Sequence, residues 1–106
     1  MSDPEDLRQL ERELERVVDR LTSMPLARAE RAAADCRHAA LVIVDETRAL
    51  TDDIPADAVL PDLGPQGLGA MLAVLGTDYV DAVRKVPGAD VSVVTATLVE
   101  LRRALP

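Results

Sequence analysis

The chain has no Phe and no Trp, and Tyr79 is its only aromatic residue. Its core must therefore come from Leu, Val and Ala, which suit the thin space between closely approaching helices. Ligand pockets are usually lined in part by aromatic side chains, so no small-molecule ligand or cofactor is expected. Cys36 stands alone and cannot close an internal disulfide, which fits a reducing compartment.

Basic residues are also scarce, 12 against 19 acidic ones, for a net charge of −7. A protein that neutralises phosphates needs a basic face, so neither nucleic acid nor an anionic membrane is an expected partner. Lys85 is the only Lys, and the skew toward Arg, with abundant Ala, Val, Leu and Asp, is that of a GC-rich bacterial genome. No apolar run approaches the roughly 20 residues of a membrane span, and the longest uncharged stretch, Leu63 to Thr77, is interrupted by Gly and Pro. The acidic start Met1-Ser2-Asp3-Pro4-Glu5-Asp6 lacks the pattern of a signal peptide. A cytoplasmic location is expected.

What is present is helical periodicity. The 106 residues allow one domain with one modest core, and 48% apolar content is that of a globular chain. Ser2 and Glu5 have the spacing of a capping box, and Leu7, Leu10, Leu14, Val17, Leu21 and Met24 then follow a 3-4 heptad stripe. Arg8–Glu11, Arg12–Glu15 and Arg16–Asp19 can pair at i,i+3 on the remaining, solvated faces. Pro25 should end this helix, with Thr22 or Ser23 free to cap the next.

Another stripe runs Leu26, Ala29, Ala33, Cys36, Ala40, Ile43, Thr47 and Leu50, out of phase with the first. That phase break predicts a chain reversal and an antiparallel hairpin over 3–50. The large residues of the first seam and the small residues of the other are complementary in size. Ala39-Ala40-Leu41-Val42-Ile43-Val44 is apolar on every side and is expected to be covered all round.

Residues 51–65, with Pro55, Pro61, Pro65 and four Asp, read as a linker. Extended, it reaches roughly 50 Å, longer than the about 37 Å of a 25-residue helix. The direction of the next helix is thus left open. A second hairpin is expected over 66–105. Its first helix should start near Pro65, carry Leu68, Leu72, Leu75, Tyr79, Val83 and Val86, and end near Arg84-Lys85. After the Pro87-Gly88 turn, Asp90 suits an N-cap, and Val91, Val94, Leu98, Leu101 and Leu105 form the last stripe. The β-branched run at 91–99 would also suit a strand, but no second strand is available to pair with it.

Gly69, Ala73, Gly76 and Val80 form a parallel stripe of small residues. A helical Gly costs about 1 kcal/mol relative to Ala, so the stripe is expected to meet a closely approaching backbone. The neighbour would be the second helix or another copy of the chain.

Residues with chemical potential are few. His38 has the residue type of a helical phosphoacceptor, but no cation stands at i+3 or i+4, where Leu41 and Val42 occur. Asp35 and His38 make half of a carboxylate-bridged metal motif and occur once. Asp52, Asp53 and Asp57 lack the calcium-loop pattern, so no metal is expected. Cys36 sits on a core stripe and reads as a small apolar residue. Gly64-Pro65-Gln66-Gly67-Leu68-Gly69 follows no strand and is not a dinucleotide loop.

The sequence thus predicts an all-α, four-helix, bundle-like single domain over 1–106. The expected role is non-enzymatic: an adaptor, regulator or oligomerisation module working through protein–protein contact, with another protein or with itself as a homodimer. The alternative is phosphotransfer through His38.

Overall fold

The computed structural model describes residues 3–51 and 64–106 and contains four α-helices and no strand among them. These are α1 (Pro4–Ser23), α2 (Leu26–Leu50), α3 (Leu68–Arg84) and α4 (Ser92–Ala104), with a single 3-10 turn, Pro65–Gly67, leading into α3. The expected linker falls largely on residues 52–63, outside the described ones, as do Asp52, Asp53 and Asp57. No described helix is long and apolar enough to cross a membrane.

Each helix starts and stops for a local reason. The capping box forms one residue later than expected, between Asp3 and Asp6: Asp3 Oδ1 accepts from the Asp6 amide at 2.9 Å and Asp6 Oδ2 from the Asp3 amide at 3.1 Å. Pro4 explains the shift. Its fixed φ and missing N–H suit the first helical position, which makes Asp3 the cap. Ser2 lies outside the described residues.

Met24 and Pro25 take extended backbone and separate α1 from α2. Thr22 and Ser23 do not cap α2. Their hydroxyls donate back to the carbonyls of Val18 and Asp19 at 2.7 and 2.8 Å, closing the last turn of α1. At the other reversal, Ala89 N–H donates to Val86 O across Pro87-Gly88, and Gly88 has φ 78°. Pro at the second position and a positive-φ Gly at the third are the residues a type II turn requires. The N-cap of α4 is Val91, one residue beyond the expected Asp90, whose Oδ1 accepts from the Ser92 amide at 2.9 Å just ahead of the helix.

The way the helices combine departs from the expected complementarity of the first two seams. α1 packs on α3 and α4, and α2 packs on the same two helices, while α1 and α2 barely approach each other. The order around the bundle is therefore α1, α3, α2, α4, with the two members of each hairpin across a diagonal.

The directions follow from who meets whom. Gly69 lies beside Leu21 and Thr22, and Gly76 beside Leu14, so α3 runs antiparallel to α1. Arg102 reaches Glu13, and Arg20 Nη2 donates to Pro106 O at 2.7 Å, so α4 runs parallel to α1. The end of α3 lies beside the end of α2, with Asp78, Ala82 and Lys85 next to Thr47, Leu50 and Thr51. The 3-10 turn before α3 also packs on α2, so α2 and α3 run parallel. α3 thus begins at the opposite end of the bundle from where α2 stops.

The core takes residues from all four helices: Leu10, Val17, Cys36, Ala40, Ile43, Leu72, Tyr79, Val94 and Leu98 lie at its centre. Every position of the α4 stripe is buried. Along α2, Ala29, Cys36, Ala40, Ile43 and Thr47 are buried as the stripe requires, but Leu26 is 54% exposed. It sits in the first turn after Pro25, before α2 enters the bundle. Nor is the apolar run of α2 covered all round, since Leu41 is 53% exposed. The buried surface of α2 is a wide stripe that adds Ala32, Ala39 and Val44, because two helices press on it from two sides.

Candidate functional site

Within the chain, the glycines of the small stripe of α3 face α1, where the second helix was the expected neighbour. A Cβ added at Gly69 would stand 3.0 Å from Thr22 Oγ1 and 3.5 Å from both Leu21 Cβ and the Thr22 amide nitrogen. At Gly76 it would stand 2.7 Å from Leu14 Cδ1 and closer still to Cδ2. Val80 is buried, and Ala73 is half-buried. The two glycines thus let α1 and α3 approach, one against the helix end and one against the Leu14 isopropyl group.

Alongside the Gly76–Leu14 contact, α1 and α3 leave an open groove of about 380 Å³ between them. Leu14 and Val18 of α1 and Ala73, Thr77 and Val80 of α3 line it. Small side chains at 73 and 77 leave the space. Glu11, Glu15 and Asp19 border it from α1, and Asp81 and Arg84 from α3. Arg84 Nη2 meets Glu11 Oε1 at 2.9 Å and ties the two walls together at one end. Glu15, Asp19 and Asp81 have no ion-pair partner among the described residues, so the groove has an apolar floor and an uncompensated acidic rim.

The charged face of α1 is organised differently from the expected i,i+3 pairs. Arg8 and Arg12 both turn to Glu5, at 3.4 and 3.3 Å, and Glu11 turns to α3. Glu13 is buried, 5% exposed, and its Oε2 accepts from Arg102 Nε of α4 at 2.7 Å while Arg16 Nη1 lies 3.3 Å from Oε1. The heptad pattern by itself leaves Glu13 on a solvated face. Its place three residues after Leu10 and four before Val17 is the signal that could have found it, since that position borders the core seam.

The remaining candidates are dispersed. His38 is exposed on α2 and shares a shallow depression with Asp35, Thr97 and Glu100. Two carboxylates beside it would repel a phosphoryl dianion. Among the described residues no group of three His, Cys, Asp or Glu side chains is placed to hold a metal ion. Cys36 is fully buried; burial, with a smaller contribution from Asp35, raises its thiol from 9.0 to about 11. It is the opposite of the exposed, positive setting that activates a thiol. Tyr79 is buried as well, and desolvation followed by the charges of Glu46 and Asp90 pushes its phenol to about 12.

Compared with known proteins, the chain matches no protein family, no curated sequence and no solved structure.

Proposed function

We propose that this chain works by binding another protein, as a cytoplasmic adaptor or regulator, and that the α1–α3 groove is its contact surface. The observation that carries this reading is the groove itself: half-buried Leu14, Val18 and Ala73 floor an open concavity on an otherwise polar face. Such a concavity gives a partner's apolar side chain a place to be buried within a polar rim. The chemistry of the other candidates supports the same direction. The one thiol is buried and held protonated, and the one imidazole stands among carboxylates.

The test compares partners captured from the source cell's lysate by three forms of the protein. Ala73→Met fills the groove without adding charge, and Glu30→Gln alters an exposed residue of α2 away from it. A protein retained by the parent and by Glu30→Gln, and lost with Ala73→Met, is the expected result. Identical capture by all three removes the groove from this reading. A stable phosphoryl adduct formed from a small phosphodonor and abolished by His38→Ala would favour phosphotransfer instead.

A further inference from the structure

We infer that the occupant of the α1–α3 groove is a cationic amphipathic helix of a different protein. This rests on the reading that the groove is a contact surface, and adds what covers it.

Three observations carry it. The first is charge. Glu15, Asp19 and Asp81 border the groove without an ion-pair partner among the described residues, and the single cation on the rim, Arg84, is held by Glu11. An occupant bringing Arg or Lys to these positions pairs them, whereas an acidic or neutral one leaves them facing it. The second is shape and floor. Glu11 to Asp19 spans about two helical turns, roughly 12 Å, over a floor of Leu14, Val18, Ala73 and Val80. That length and surface suit two turns of a helix that lays residues at i, i+3 or i+4, and i+7 into an apolar trough. The third is the charge of the chain itself. At −7, another copy brings like charge to an acidic rim.

Such binding is steered by electrostatics and weakens with salt, while the apolar floor retains part of the affinity.

The probe is a fluorescein-labelled, terminally capped peptide of about 14 residues, with Leu at i, i+3, i+4 and i+7 and Lys elsewhere. A peptide with Glu in place of Lys is the control, and fluorescence anisotropy is the readout. Glu15→Arg should weaken the Leu/Lys peptide by about tenfold or more, and Ala73→Met should weaken it with no change of charge. Glu30→Arg, which alters net charge equally but lies away from the groove, should stay within about twofold. The Leu/Glu peptide should not bind.

Equal weakening by Glu15→Arg and Glu30→Arg would show that binding follows net charge, and overturns the inference. So does binding of the Leu/Glu peptide, or a concentration-dependent dimer in light scattering that Ala73→Met dissociates. If the Leu/Lys peptide fails while a lysate partner is still lost with Ala73→Met, the cationic occupant is wrong and the contact surface stands.

Discussion

Glu13 of α1 and Arg102 of α4 stand 89 positions apart in sequence and meet at 2.7 Å, with the Glu13 side chain only 7% exposed. The pair ties the first helix to the last, on the side of α1 away from α3. Arg102 is 32% exposed at its side chain, so its guanidinium can turn to water when the carboxylate is removed, but the carboxylate cannot. The two single substitutions should therefore differ. Arg102→Leu strands a buried carboxylate with only the more exposed Arg16 and should cost about 2–4 kcal/mol; Glu13→Met should cost less. The double variant Glu13→Met/Arg102→Leu should recover most of the loss, because an apolar pair replaces a buried ionic one. Urea denaturation of all three variants measures this, and additive losses in the double variant would show that the pair carries no coupling.

The seams test the depth of burial. Leu10 is fully buried in the core to which all four helices contribute, and Leu10→Ala should cost about 2–5 kcal/mol. Leu26 continues the α2 stripe on paper but is half-exposed, and Leu26→Ala should stay within about 0.5 kcal/mol. Thermal unfolding of both variants decides it. A large loss at Leu26 would mean that α2 is covered from its first turn.

Residue by residue, the sequence revealed what depends on a single helix and concealed what depends on two. Val91, Val94, Leu98, Leu101 and Leu105 needed only the 3.6-residue period to be placed inside, and all five are buried. The Pro87-Gly88 turn and the end of α3 at Arg84 were legible for the same local reason. The pairing of helices was not. Large Leu and Val side chains on α1 and small Ala and Cys on α2 fit each other, but they fit α3 and α4 as well, and the linker is long enough for either direction of α3. The groove inherits that uncertainty: Ala73 and Leu14 line one site only because α3 runs antiparallel to α1. Glu13 was hidden because its partner lies on the helix most distant in sequence, and the cap moved to Asp3 because Pro4 outweighs the S-x-x-E pattern.

Alkaline pH should unfold the protein in a way that names its causes. Burial raises the Cys36 thiol from 9.0 to about 11 and the Tyr79 phenol from 10.0 to about 12. Between those limits the unfolded chain has released the proton that the folded chain still holds, so stability falls as pH rises. The contribution of Cys36 is present below about pH 9 and lost through about 11, and that of Tyr79 is lost from about 10 through 12. Urea midpoints across this range should decline for the parent and decline less for Cys36→Ala, and the tyrosinate absorbance should rise near pH 10 only once the chain unfolds, and near 12 while it stays folded. A tyrosinate signal that titrates at its ordinary pKa in the folded protein would place Tyr79 in water. For the same reason Cys36 should resist a thiol reagent near neutral pH until the chain is denatured.

Gly76 and Leu14 should show a change of sign. An added methyl at position 76 removes the helix penalty of glycine, a gain of up to about 1 kcal/mol. In the parent protein that methyl also falls inside the Leu14 isopropyl group, whose two Cδ atoms and Cγ are the nearest atoms to it. Leu14 is half-buried and borders the open groove, so its end can swing aside at the loss of some packing. The two effects oppose each other, and Gly76→Ala should leave the parent unchanged or destabilised by up to about 1 kcal/mol. Leu14→Ala removes the obstructing atoms. In that background Gly76→Ala should stabilise, also by up to about 1 kcal/mol, since only the propensity gain remains. A double-mutant cycle from urea denaturation isolates the coupling. If Gly76→Ala stabilises both backgrounds equally, position 76 does not touch Leu14 and α3 does not lie where its small residues meet α1. Gly76→Leu supplies the control: its side chain is too large for Leu14 to accommodate by moving, so it should destabilise the parent well beyond the alanine variant.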